Sequence, residues 1–210
     1  MKMTENPGLA VRGRPRAFDR ERALRKAMEV FWRKGYEMAS LNDLTSAMSI
    51  NPPSLYAAFG DKETLYLEAL EYYVKGAACR KSVLDDAATA REAIEALLTR
   101  SATALPELGM GGCMLVTSAV NASSPKVRKT MAACRARAEA ELRKRIERGI
   151  RDGDLPAGTD AASLAKFYET VIQGMSTQIA DGASPKILKG IVANAMRAWP
   201  GKKLSRRKSG

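Results

Sequence analysis

The 210-residue chain contains no histidine and only three cysteines. Histidine is the side chain that most often acts as a general base or a metal ligand, so its absence excludes catalytic triads and most metal sites. Cys79, Cys113 and Cys134 are odd in number and too widely spaced for a zinc motif, which favours reduced thiols over a disulfide framework. We therefore expect no catalytic residue, no metal and no cofactor.

Long apolar runs are missing as well. No stretch approaches the roughly 20 residues of a membrane-spanning helix, and the N-terminus has no apolar core of a signal peptide. Runs of alternating β-branched and aromatic residues are also absent, whereas Ala, Leu, Lys, Arg, Glu and Met dominate. These features predict an all-α cytoplasmic protein with no membrane partner.

The charge balance is strongly basic. The formal net charge is +12 and the sequence pI is about 9.8. Such an excess of cations attracts polyanions, that is, nucleic acid or an anionic membrane surface. Since nothing in the chain favours a membrane, nucleic acid is the expected partner.

Two short apolar-periodic segments lie between Ser40 and Lys62. The first predicts a helix over residues 41–48 capped by Ser40, and the second a helix that is capped by Asn51, opens on a double proline and closes at Gly60. Helices this short need packing partners. Two such helices joined by a tight turn in a basic chain predict a helix-turn-helix that presents its second helix to the DNA major groove.

The rest of the chain is divided by changes in periodicity. Residues 1–17 are expected to form a flexible basic arm, 18–73 the three-helix DNA-binding domain, 74–199 a helical bundle, and 200–210 a disordered basic tail. Before the helix-turn-helix, a helix is predicted from Asp19 to Gly35, and after it one from Asp61 to about Leu84. The bundle helices are predicted over 90–105, 113–122, 125–151, 160–181 and 184–199.

Several residues at fixed spacings carry a family resemblance. They are Phe31, Gly35-Tyr36, Leu55-Tyr56, Phe59, Lys62-Glu63 and Leu65. Residues 16–73 resemble the N-terminal domain of the TetR/AcrR transcriptional regulators. The resemblance implies that the C-terminal bundle binds a ligand and dimerises, and that the protein is a homodimeric repressor released from a palindromic operator by a small molecule.

Two positions depart from the family pattern. Ser49 stands where relatives usually carry the turn glycine, and if the backbone there has φ > 0 a serine costs on the order of 1 kcal/mol. Ala58 stands where many relatives have a His or Tyr that touches the DNA backbone. We therefore expect Tyr56 and Lys62 to carry more of the anchoring.

The predicted reading face of the second helix is small and uncharged. It comprises Pro53, Ser54, Tyr56, Ala57 and Ala58, whereas Leu55 and Phe59 are expected to face inward. Tyr56 is expected to reach a phosphate or a base edge, and Lys62 to neutralise a phosphate; the alternatives are a half-buried surface tyrosine and a solvated lysine. Three arginines of the arm are expected in an adjacent minor groove, or else in a disordered solubilising leader. The full DNA-binding set is Asn42, Thr45, Pro53, Ser54, Tyr56, Ala57, Lys62, Arg12, Arg14 and Arg16.

The last two predicted helices carry candidate dimer and ligand residues. The expected dimer interface comprises Ile172, Gly174, Met175, Ile179, Ile191, Ala195 and Met196, with ordinary intrachain core as the alternative. The expected ligand-binding set is Tyr72, Cys113, Tyr168 and Gln173. A helix start at Cys113 would lower the pKa of its thiol and permit redox or electrophile sensing, whereas the alternative is a small buried hydrophobe.

Two rival functions belong to other classes. One is a sequence-neutral DNA-binding protein driven by the basic arm and tail. The other is an all-α enzyme with a basic surface, which lacks any recognisable catalytic constellation.

Overall fold

The computed structural model describes residues 18–76, 78–107, 110–118 and 121–201. Ten helices and no strand occur in this part of the chain, which confirms the all-α prediction. The predicted arm over 1–17 and the tail beyond residue 201 lie outside the described residues. The helices are α1 Arg20–Met38, α2 Leu41–Met48, α3 Pro52–Phe59, α4 Lys62–Gly76, α5 Ala78–Asp86, α6 Ala90–Glu107, α7 Met114–Thr117, α8 Pro125–Arg151, α9 Ala161–Ala180 and α10 Pro185–Arg197.

The first three helices begin at the predicted caps. The Asp19 side chain accepts a hydrogen bond from the backbone N–H of Arg22, and Asn51 accepts one from that of Ser54. Ser40 forms a reciprocal capping box with Asp43. Capping side chains thus fix where each short helix starts, as local sequence signals predict.

Ser49 adopts the left-handed conformation that its position in the turn suggested. Its φ is 57° and its ψ is 41°, and among the described residues no other non-glycine has a positive φ. This is a backbone geometry that favours glycine, and the serine carries strain on the order of 1 kcal/mol.

Several helix boundaries differ from the predictions. Helix α1 extends to Met38 instead of ending at Gly35, although Gly35 itself is non-helical with a φ of 77°. The helix predicted from 61 to 84 corresponds to α4 and α5, which are separated by residue 77, outside the described residues. Helix α6 continues past Pro106 to Glu107, a shift within the usual uncertainty of helix ends. Helix α7 has four residues instead of the predicted ten. The Ser118 carbonyl accepts a hydrogen bond from the Tyr36 N–H at 2.7 Å, and not from an N–H of a further helical turn.

Apolar side chains form two clusters. The head core comprises the buried residues of α1 to α4 together with Met110, Met114, Ala122, Val127 and Met131 from α7, its flanking segments and the first half of α8. The body core comprises buried residues of α5, α6, the second half of α8, α9 and α10. Residues of the predicted C-terminal bundle thus contribute to the head core. The core of the DNA-binding domain therefore extends beyond the predicted domain boundary at residue 73.

No helix in the described ranges has the length and apolarity that crossing a membrane requires.

Candidate DNA-binding surface and buried polar cluster

Helix α3 is anchored by two buried side chains, as predicted. Leu55 is completely buried and Phe59 nearly so, while Tyr56 on the opposite side is 48% exposed. Pro53 and Ala57 are exposed, and Ser54 is half-buried. These four side chains carry no charge.

Ala58 does not lie on this outer face, contrary to the expectation. Its side chain is half-buried and packs against the head core. The reason is periodicity, since Ala58 follows Leu55 by one helical step of three residues and so shares its inner side. The exposed face of α3 is therefore narrower than the sequence indicated.

Helix α2 carries two of the predicted DNA-binding residues, of which one is exposed and one is buried. Asn42 is exposed. Thr45 is only 7% exposed, and its hydroxyl donates to the Leu41 carbonyl at 2.9 Å. This geometry leaves Thr45 outside the exposed surface of the helix-turn-helix.

Lys62 lies at the start of α4, directly after the end of α3. Its Nζ donates to the Glu37 carbonyl at 3.1 Å and lies 4.9 Å from the centroid of the Tyr36 ring. These contacts hold the ammonium group near the helix-turn-helix. Arg12, Arg14 and Arg16 fall outside the described residues.

The capping box of α2 is reinforced electrostatically. Lys34 Nζ donates to Asp43 Oδ1 at 2.6 Å, and Ser40 donates to the other carboxylate oxygen. Hydrogen bonds from Lys34 and Ser40 lower the pKa of Asp43 to about 2. The helix-turn-helix is thus tied to α1 through an ionised carboxylate.

The segment around α7 joins the helix-turn-helix domain to the C-terminal bundle. Trp32 Nε1 donates to the Gly112 carbonyl at 2.6 Å, and the Tyr66 hydroxyl lies 2.7 Å from Ser118 Oγ. Burial raises the pKa of Tyr66 to about 12. Gly112 has a φ of 90°, and a Cβ there would lie 2.4 Å from the Ser176 carbonyl oxygen, so only glycine fits between α7 and α9.

A polar cluster lies between the two cores. We define it as Tyr73, Arg80, Cys113, Glu169 and Ser176, which come from α4, α5, the start of α7, and α9. An Arg80 Nη2 hydrogen donates to Glu169 Oε2 at 2.6 Å, and the Glu169 side chain is 7% exposed. The Tyr73 hydroxyl lies 3.3 Å from Cys113 Sγ, and the Cys113 N–H donates to Ser176 Oγ at 2.6 Å.

One hydrogen-bond donor of the polar cluster has no partner among the described residues. Arg80 Nε is buried and has no hydrogen-bond partner in the described part of the chain. Burial raises the pKa of Tyr73 and of Cys113. The cluster can therefore offer neutral hydroxyl and thiol groups and one free N–H donor to a hydrogen-bond acceptor.

Arg80, Glu169 and Ser176 are not among the site residues that the sequence patterns predicted. One signal was available, because Glu169 falls on the apolar side of α9 beside Tyr168 and Ile172, where a buried carboxylate needs a partner. The identity of that partner was not readable, since Arg80 lies 89 residues away in the chain.

The predicted ligand-binding residues are dispersed. Tyr168 is fully buried in the body core, where its hydroxyl donates to the Ala195 carbonyl at 3.2 Å. Tyr72 is half-buried against the head core, and Gln173 is half-buried on α9. Only Cys113 belongs to the polar cluster. Of its two alternatives, the lowered thiol pKa is contradicted, because desolvation dominates and raises the pKa.

Most of the predicted dimer residues belong to the body core. Met175 is 1% exposed, and four others are nearly as deeply buried within the chain: Ile172, Ile179, Ala195 and Met196. They were expected at an interface, but periodicity does not distinguish a stripe that faces the chain's own core from one that faces a partner. Ile191 is half-buried and Gly174 is exposed. The exposed large apolar side chains nearby are Phe167 on α9 and Ile187 on α10.

Within the described ranges, no three His, Cys, Asp or Glu side chains are grouped so that they could hold a metal ion.

Comparison with known proteins matches both parts of this architecture. Residues 23–69 match the family described as bacterial regulatory proteins, tetR family, and residues 90–185 match the tetracyclin repressor-like C-terminal domain. The HTH-type transcriptional repressor ComR of Escherichia coli (strain K12) is 34% identical over 200 residues, which cover 90% of this chain and 92% of ComR. The chain belongs to the TetR family.

Solved structures extend the TetR assignment to the fold. The TetR family regulator CifR, as a cysteine mutant complexed with 26 bp operator DNA, is 46% identical and has a TM-score of 0.85. The alignment covers 89% of this chain and all of the CifR chain. A second E. coli (strain K12) repressor, BdcR, is 31% identical over 190 residues, covering 90% of this chain and 92% of BdcR. As a TetR regulator, the protein is not an enzyme.

Proposed function

We propose that the protein is a homodimeric transcriptional repressor that binds a palindromic operator through α2 and α3 and is released by a small molecule. The observation that carries the proposal is the pose of α3, an eight-residue helix anchored by Leu55 and Phe59 with Tyr56 projecting outward. A cylinder of this size, exposed on one side, fits the major groove. The complex of CifR with operator DNA supports the same use of the domain.

The proposed DNA surface has a small, neutral centre. Pro53, Ser54 and Ala57 allow close approach to base edges, and an alanine methyl or a proline ring can contact a thymine methyl group. Asn42 and Tyr56 supply hydrogen-bonding groups, and Lys62 a cation. Because α3 has no arginine or asparagine within it, sequence choice is expected to depend strongly on DNA shape and on Arg12, Arg14 and Arg16 of the arm.

The proposed dimer uses the outer face of α9 and α10. This face includes Phe167, Gly174, Ile187, Gly190 and Ile191, which are exposed or half-buried within one chain. Apolar side chains and exposed glycines permit close helix packing against a second copy around a two-fold axis. The two α3 helices would then read half-sites about 34 Å, or one helical turn, apart.

The proposed effector site includes the polar cluster. Four helices converge there between two apolar cores, and the Arg80 Nε hydrogen has no acceptor among the described residues. Small-molecule sites in proteins combine apolar walls with a few convergent polar groups of this kind. A ligand that binds one arrangement of α4, α7 and α9 better than another shifts the population of DNA-binding conformers.

A competition experiment tests the DNA-binding part of the proposal. The duplex enriched by the protein from a random-sequence library is expected to bind at least ~10³-fold more tightly than the random pool at ~150 mM salt. Equal affinity for both would favour the sequence-neutral alternative and contradict the proposal. Footprints on the enriched duplex should show two protected half-sites about one helical turn apart.

Variants at Tyr56 localise the contact. Tyr56→Ala is expected to weaken binding to the enriched duplex while leaving the helical circular-dichroism signal unchanged, because the side chain is half exposed. Tyr56→Phe is the matched control that removes only the hydroxyl. Unchanged affinity in both variants would remove Tyr56 from the surface.

A further inference from the structure

Arg20, in the first turn of α1, reaches across the domain to the end of α3. One Nη2 hydrogen-bonds to the Ala58 carbonyl at 3.2 Å and to Glu68 Oε2 on α4 at 2.7 Å. Its guanidinium carbon lies 4.4 Å from the centroid of the Phe59 ring. A single side chain thus links the start of α1, the end of α3 and the middle of α4.

Helix α3 needs such a link because little else holds it. Its fully buried side chains are Leu55 and Phe59, and Ala58 packs partly buried beside them, so its apolar anchors all lie on one side of the helix. Contacts on one side fix the depth of α3 more firmly than its rotation about the helix axis. The Ala58 carbonyl, in the last turn, is one of the four that an α-helix cannot satisfy internally.

The contacts of Arg20 supply that missing restraint. A charge-assisted hydrogen bond to the Ala58 carbonyl fixes one side of the last turn, and the planar guanidinium covers the Phe59 ring. Phe18, on the other side of the cap residue Asp19, places its ring 6.4 Å from the same Phe59 ring. The beginning of α1 therefore packs against the C-terminal end of α3 from two sides.

We propose that Arg20 is a positioning residue that fixes the orientation of α3 for operator recognition without itself contacting DNA. The proposal rests on the use of α3 as the reading helix. It predicts that Arg20 affects sequence-specific binding and not the sequence-independent attraction to phosphates. A lysine at this position keeps the charge but loses the planar fork, so it cannot reproduce the same set of contacts.

The test compares Arg20→Ala, Arg20→Lys and the control Arg22→Ala on the library-enriched duplex and on the random pool. Arg22 is exposed on the same turn and its replacement removes the same charge. We expect both Arg20 variants to lose roughly tenfold in affinity for the enriched duplex, with the affinity for the random pool changed by less than about twofold. The slope of log affinity against log salt should match that of the parent.

Two results would overturn the proposal. If Arg20→Ala lowers the salt slope by about one and Arg20→Lys restores it, Arg20 contacts a phosphate directly. If both Arg20 variants bind the enriched duplex as tightly as Arg22→Ala, Arg20 does not position α3. Failure of the parent to enrich any sequence would instead contradict the proposed function.

Glu68→Gln keeps the test decisive if the arginine variants fail to fold. It weakens the ion pair on α4 but leaves the Ala58 hydrogen bond and the Phe59 contact in place. Its affinity for the enriched duplex is expected to fall between the parent and Arg20→Ala. An affinity equal to that of the parent, with Arg20→Ala also unchanged, would again count against positioning.

Discussion

The head core and the body core differ in the polar groups that they enclose. In the head core the buried polar side chains are the hydroxyls of Thr45 and Ser118, joined by the phenol of Tyr66. In and around the body core they include charged groups, Glu169 paired with Arg80, and Arg145, whose Nε and Nη1 have no hydrogen-bond partner in the described chain. The buried polar groups of the head core are therefore neutral, whereas those in and around the body core include charged groups.

This difference suits two different tasks. Neutral hydroxyls and stacked aromatic rings give one well-packed arrangement, as a reading head requires. Buried charges are sensitive to any new group placed beside them, because the local dielectric is low. Under the proposed function, a ligand bound near Arg80 would change the energetics of the body core and leave the neutral polar groups of the head core unchanged.

The first prediction concerns a variant that destabilises the head core, and whether it also lowers the stability of the body core. Phe31 is fully buried and packs edge-on against Tyr66 with ring centroids 5.0 Å apart. Phe31→Ala is expected to cost about 3–5 kcal/mol of unfolding free energy, because it leaves a large cavity. The exposed Tyr56→Ala should change stability by only about 0.5 kcal/mol.

Each core contains one of the two tryptophans, which allows the measurement to be made separately in each. Trp32 belongs to the head core and Trp199 to the body core, so Trp199→Phe and Trp32→Phe backgrounds report them one at a time by fluorescence. Since α7 and α8 contribute to the head core, we expect Phe31→Ala to lower both melting temperatures. A shift seen only at Trp32 would mean that the two cores unfold independently.

The second prediction concerns the buried charges of the body. Glu169→Leu leaves the Arg80 guanidinium without its carboxylate in a mostly buried position, which is expected to cost about 3 kcal/mol. The double variant Arg80→Leu with Glu169→Leu should recover most of that loss, since both charges are gone. Urea unfolding of the four proteins gives the coupling free energy.

Two outcomes would contradict this interpretation of the pair. Additive losses in the double variant would show that Arg80 and Glu169 do not interact in the folded protein. A Glu169→Leu variant as stable as the parent would show that the guanidinium reaches solvent. Lys75 and Glu71, an exposed pair on α4, provide the control, because removing either partner is expected to have little effect.

The head was largely predictable from sequence because its signals are local. Caps such as Asn51 and Ser40 act within three residues, and the spacing of Leu55 and Phe59 defines the inner side of α3 directly. The bounds of α8 followed from Pro125 and the Asp-Gly-Asp break for the same reason. Even there, Ala58 was misplaced, because the inner side of α3 is wider than two anchors suggest.

The missed features depend on contacts between distant parts of the chain. The Arg80–Glu169 pair and the link from Arg20 to Ala58 join residues 89 and 38 positions apart. The length of α7 depends on the Tyr36 N–H, which takes the Ser118 carbonyl. Met175 was assigned to an interface because a single helical stripe cannot show which neighbour covers it.

The smallest predicted effect sharpens the comparison at one backbone position in the head. Ser49 has a φ of 57° between α2 and α3, so Ser49→Gly is expected to raise the unfolding free energy by up to about 1 kcal/mol, or about 2–4 °C in Tm. The control is Ser46→Gly, the same replacement inside α2, where lost helix propensity should lower stability. Opposite signs at the two serines would locate the strain in the turn. A loss of stability in both would mean that the extra freedom of the unfolded chain outweighs the strain at Ser49, so the left-handed turn would be tolerated by serine at little cost.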